Sequence, residues 1–166
     1  MRRYETRFQE LCETGAIVRS TASFKKPLFL AKAKQSFLLA RHLHHDAAEP
    51  QQLSWYSWAI VIHYYAMLYA AKAAILTRGY EVKSHEAALV ALAGLLVPTP
   101  LEREDLELLD QAQRIFEEEY LSSFAQAQTE SYVARYAAIK RYTERQVAEI
   151  EEDARRFLLK IEHVLE

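Results

Sequence analysis

From Leu53 to Leu76 the chain reads LSWYSWAIVIHYYAMLYAAKAAIL, and between Trp55 and Leu76 the only formal charge is Lys72. On a helical wheel, apolar or aromatic residues appear on nearly every side. A helix of that kind is either the centre of a protein or a membrane span. Length alone permits the span. Against it stand His63, Lys72 and the hydroxyls of Tyr56, Tyr64, Tyr65 and Tyr69, and the rest of the chain offers no second span. An ionisable group inside lipid is costly. The stretch therefore reads as the core helix of a soluble, cytoplasmic protein.

At 166 residues the chain is expected to form one domain with a real core. Three glycines and four prolines leave little material for the turns of a β protein. The abundance of Ala, Leu, Glu, Gln, Arg and Lys favours helix instead. The lone Cys12 excludes an internal disulfide framework, and with Glu13 rather than a base beside it the thiol is not activated. The opening MRRYETRFQELCETG has no apolar h-region and does not read as a signal peptide.

Net charge is −2, but it is unevenly spread. Residues 1–34 hold eight Lys/Arg against three acids, while residues 101–130 hold nine acids against Arg103 and Arg114. This pattern fits either steering of RNA or a charged partner, or two ordinary solvated faces.

Taken in order, the chain predicts a short basic helix over 3–13 closed by Gly15, a turn at 21–27, and a helix over 28–45. The stripe of this second helix is Leu30, Ala33, Phe37 and Ala40, with Lys32, Lys34, Gln35 and Arg41 facing out. Ser54 is a candidate N-cap of the central helix and Gly79 its C′ residue. Ser84 caps a helix over 85–97, and an acidic helix runs over 102–126. A further helical segment begins at Ser131, and the T-E-R-Q capping box at Thr143–Gln146 predicts that the last helix starts there. No strand is expected. The fold class is an all-α, up-and-down bundle of about six helices around the central apolar one.

Three histidines, His42, His44 and His45, close the second helix. Adjacent residues diverge on a helix and no i,i+4 pair exists among them, so that helix alone makes no metal site. Cations in a last turn also suit the helix dipole. No Glu-x-x-His motif marks a di-iron bundle, and three isolated glycines cannot build a phosphate loop. No metal and no cofactor is expected.

Three blocks together resemble the HEPN domain, in its small stand-alone prokaryotic form. AKAKQSFLLARHL is similar to the family's first core helix. YYAMLYAAKAAILTRGYEVKSHEA is similar to its most recognisable block, and KRYTERQVAEIEEDARRFLLKIEHVL to its closing block. The likeness covers most of a core at about 28–165, the basic helix 3–13 being outside it. In the closing block the Asp that usually precedes the Tyr is replaced by Arg141 before Tyr142. The resemblance implies a helical homodimer, often partnered by a minimal nucleotidyltransferase antitoxin, and in many members a metal-independent ribonuclease. The signature of such nucleases is an Arg followed, after a short spacer, by a His.

Two pairs here have that spacing: Arg78 with His85, around the Gly79 turn, and Arg156 with His163, two turns apart on one helix face. The chemistry is intelligible: a histidine near neutrality takes the 2′-OH proton and a permanent cation holds the phosphorane charge. His63, Tyr65 and Lys72 are the candidate nucleotide- or RNA-binding set, rings stacking on a base and Lys meeting phosphate. The bland alternative places the tyrosines in the core and a dimer interface. Two functions stay open. One is a dimeric, partner-dependent or nucleotide/RNA-binding module of a toxin–antitoxin or defence-type system. The other is a ribonuclease toxin working through an Arg–His pair at the dimer cleft.

Overall fold

The computed structural model describes the backbone of residues 2–46, 54–126 and 132–166, and side chains within 3–46, 55–118 and 144–166. Its elements are α1 (Arg2–Glu13), β1 (Ile17–Arg19), α2 (Lys25–His45), α3 (Ser54–Leu76), β2 (Tyr80–Val82), α4 (His85–Leu96), α5 (Arg103–Gln126) and α6 (Tyr132–Leu165). The stretch AAEPQQ at 47–52, which reads as a linker, lies outside the described residues.

The hub is α3. Helices α2, α4, α5 and α6 all pack on it, α2 most extensively. Its small residues explain how one rod takes so many neighbours. Ala59, Ala66, Ala70, Ala71, Ala73 and Ala74 are fully buried and let other backbones approach, while Ile60, Tyr64, Met67 and Ile75 fill the space between them. Each such large side chain contributes about 1.5–3 kcal/mol on burial. Among the described residues α3 is the one helix long and apolar enough to cross a membrane, and 72% of that window is buried inside the fold. It serves as the core helix. The long α6 covers α3 with Val147, Ile150, Ala154, Phe157 and Ile161, all buried and at helical spacing.

Two local signals behave as the residues predict. Gly79 takes φ +77°, ending α3 in the left-handed region that suits glycine. Ser84 caps α4, its Oγ accepting from the Ala87 N–H at 3.0 Å.

Two others do not. The expected strandless chain contains a two-stranded antiparallel clip, with Ile17 opposite Val82 and Arg19 opposite Tyr80. The Ser20 N–H donates to the Gly79 carbonyl and the Lys83 N–H to that of Ala16, each at 2.9 Å, extending the clip at both ends. The helix start expected at Thr143 is also absent, for the backbone is helical without interruption from Tyr132 to Leu165. A Thr inside a run of good helix formers is tolerated there, and the capping-box pattern is overridden.

Candidate functional site

Helices α2 and α3 lie antiparallel, since Phe29 stacks on Tyr69 while Phe37 meets His63. On α3, residues 65, 69 and 72 share one face, and residue 63 lies on the far side of the wheel. The expected trio therefore divides. Tyr65 and Lys72 sit together, half-buried, beside Tyr69. His63 has no solvent-accessible surface, and neither ring nitrogen has a hydrogen-bond partner among the described residues. Burial pushes its pKa down to about 4, so the ring is neutral. Enclosed against Phe37, it cannot meet a ligand at the Tyr65–Lys72 surface without rearrangement.

A chain of rings crosses the face that holds Tyr65. Phe29 stacks on Tyr69 at 6.2 Å between centroids, Tyr69 meets Tyr65 at 6.4 Å, and Tyr65 meets His85 at 6.0 Å. His85 in turn lies 5.2 Å from buried Tyr64 and 5.8 Å from Phe116 of α5. Two ammonium groups stand over this chain. Lys32 Nζ is 4.4 Å from the Tyr69 centroid, and Lys72 Nζ is 5.6 Å from the same ring and 6.0 Å from Phe29. Among the described residues neither lysine forms an ion pair. A ring face partly satisfies each ammonium while leaving its N–H donors free for an anion.

His85 begins α4, immediately after the Ser84 cap. Its pKa is lowered, first by burial and next by the Lys72 charge, with Glu117 opposing. It is therefore neutral at pH 7, the form in which imidazole accepts a proton. The neighbouring cation that acts on His85 is Lys72. Arg78 is exposed beyond the end of α3, separated from His85 by strand β2, and no hydrogen bond joins the two among the described residues. Arg156 and His163 are both exposed on α6. His163 faces Glu166 at 3.4 Å with its side chain 81% exposed.

Lys32 and Glu151 were not singled out in the sequence. Lys32 reads as an outward residue of α2, and only the rotation of α2 against α3 brings it over Tyr69. Glu151 reads as one acid among many on α6, yet His44 and His45 both turn to it, at 2.5 and 3.1 Å. The expectation that adjacent histidines diverge is thus corrected: their rings stack at 4.4 Å. His42 faces elsewhere and pairs with Asp46.

A separate cavity of about 920 Å³ opens among α1, α4, α5 and α6, beside Tyr4, Val97, Leu106 and Gln146. Its three arginines each face an acid of their own helix: Arg103 with Glu107, Arg114 with Asp110, Arg145 with Glu149. Charges paired in this way give an anion less to bind than Lys32 and Lys72 do.

An all-α domain built on one apolar helix, with a cation-and-ring surface on one face, is the class that fold and site define. The profile of the HEPN domain matches residues 28–164, and the chain belongs to the HEPN family. No curated protein matches it. The matched span contains every candidate residue and begins after α1.

Proposed function

We propose that this HEPN protein is a cytoplasmic module that binds RNA or a nucleotide through Phe29, Lys32, Tyr65, Tyr69, Lys72 and His85. The observation that carries the reading is the pair of ammonium groups on the Tyr69 ring, neither joined to a carboxylate among the described residues. Phosphate oxygens would take the free N–H donors, and an unstacked base would find a ring beside them. Family membership supports a nucleotide- or RNA-related role of this kind.

The protein acts as a homodimer in this reading. Trp58 is 61% exposed and shares a face of α3 with Tyr65 and Lys72 at seven-residue spacing. A second copy covering Trp58 would set the ring surface at the rim of the seam. A nucleotidyltransferase-type antitoxin is the proposed protein partner, in a toxin–antitoxin or defence-type system.

The second reading is a metal-independent ribonuclease, favoured by the neutral state of His85 beside Lys72. His85 would take the 2′-OH proton as that oxygen attacks phosphorus. His85 would then return that proton to the departing 5′-oxygen, and Lys72 would hold the phosphorane charge in the role that the spacing gives to Arg78. Arg156 with His163 is the other pair of the required spacing.

One experiment separates these. Purified protein is incubated with cellular RNA in EDTA, beside His85→Ala and His163→Ala, and RNA binding is followed by fluorescence anisotropy. Binding without cleavage supports the module. Cleavage abolished in one folded variant identifies an enzyme and its base. Neither binding nor cleavage at high protein concentration rejects both.

A further inference from the structure

Away from the ring surface, the last turn of α2 meets the middle of α6 through three potential ligands. His44 Nδ1 lies 2.5 Å from Glu151 Oε2, and His45 Nε2 lies 3.1 Å from Glu151 Oε1. One ligand atom from each of the three residues falls within 4.8 Å of the others. We propose that His44, His45 and Glu151 bind a divalent zinc-type ion, which joins the end of α2 to α6.

The donor set suits that ion. Two imidazoles and one carboxylate are borderline ligands of the kind zinc and cobalt accept, and three protein donors leave a position for water. The exposures fit as well. His44 and Glu151 are largely enclosed, their side chains 15% and 16% exposed, while His45 at 54% leaves a path from solvent. The His44 ring is further held edge-on to Tyr56, with 5.9 Å between centroids. Two elements that are distant in sequence supply the donors, so a bound ion adds a cross-link that the unfolded chain lacks.

Arg41 is the internal competitor. Its Nε donates to Glu151 Oε1 at 3.1 Å, the same oxygen that faces His45. With its side chain 51% exposed, Arg41 can turn to solvent when an ion arrives. This gives the proposal a direction that ordinary surface histidines do not share: removing a positive neighbour should improve the site.

The test uses the full chain, stripped with EDTA and titrated with Co²⁺, then with Zn²⁺ as competitor. One Co²⁺ per chain is expected, with the visible absorption of a four- or five-coordinate ion, displaced by Zn²⁺. His44→Ala, His45→Ala and Glu151→Gln should each weaken binding by at least about tenfold. His42→Ala should leave it unchanged, and Arg41→Gln should tighten it. Circular dichroism of each stripped variant checks that the fold persists. The proposal is overturned if the wild type takes up no Co²⁺ at micromolar concentration, or if folded Glu151→Gln binds as well as wild type. The latter would mark adventitious capture by histidines alone.

Discussion

Lys32 of α2 holds its ammonium 4.4 Å from the centre of Tyr69 on α3, an approach set by the antiparallel packing of the two helices. Phe29, one turn earlier on α2, stacks on the same tyrosine, and Lys72 reaches Tyr69 from one turn further along α3. Two cations thus share one ring. Their mutual repulsion is tolerated because the ring's negative face attracts both, and a bound phosphate would relieve it further.

From this follows a prediction about salt. Lys32→Ala and Lys72→Ala should each cost no more than about 1 kcal/mol of stability, the worth of a partly exposed cation–π contact, since neither lysine is paired to an acid among the described residues. RNA affinity should fall in both. In a plot of log affinity against log salt, each variant should lose roughly 0.7 of slope if its lysine meets a phosphate of single-stranded RNA. Anisotropy titrations at three salt concentrations check this. Parallel slopes for wild type and both variants would remove these lysines from the interface.

The Gly79 turn offers a test of the clip that connects α3 to α4. A Cβ at this position would have Ser20 O at 3.8 Å as its nearest neighbour, an ordinary contact, but φ is +77°. The cost of Gly79→Ala is therefore in the backbone, and about 1–2 kcal/mol of destabilisation is expected from urea unfolding. Gly94→Ala provides a contrast. There a Cβ meets the Phe8 ring at 3.5 Å inside α4, where alanine is the better helix former, so the change should be near neutral or stabilising.

The core helix was legible because all-round apolarity over six turns has few structural solutions, and the Gly79 and Ser84 signals were legible because their chemistry is local. What the residues concealed was relative placement. Strand β1 pairs Ile17 with Val82, and a three-residue strand carries no period that could announce a partner so far away. Thr143 shows the opposite failure, a local cap signal overridden by helix-forming neighbours. The split of His63 from Tyr65 and Lys72 follows from helix geometry and was available in principle. The meeting of His44 and His45 at Glu151 was not, because it depends on where α6 crosses α2.

Trp58 gives the dimer a direct test. As an exposed aromatic on the core helix, it is a suitable anchor for a second copy. Trp58→Glu should shift a dimer to monomer in sedimentation at micromolar concentration while leaving the far-ultraviolet spectrum unchanged. A wild type that sediments as a monodisperse monomer would reject this interface.

His63 sets the last prediction, about acid. Its ring faces Phe37 and feels the charges of Glu151 from α6 and of His44, Arg41 and His45 from α2. Its folded pKa, about 4, lies below the unfolded value of 6.5. Between those values the unfolded chain binds a proton that the folded chain refuses, so stability rises with pH across the window. The proton-linked cost of burying His63 is thus absent above about pH 6.5 and grows to roughly 3 kcal/mol as pH falls toward 4. Replacing it with leucine leaves no unpaired ring nitrogen in the core. In EDTA-treated protein His63→Leu should match or exceed wild-type stability at pH 7, by up to about 2 kcal/mol, and its advantage should grow toward pH 4.5. Urea melts at both pH values decide the matter. An advantage that stays constant between them would mean that His63 takes up its proton in the folded state with ordinary ease, contrary to its enclosure.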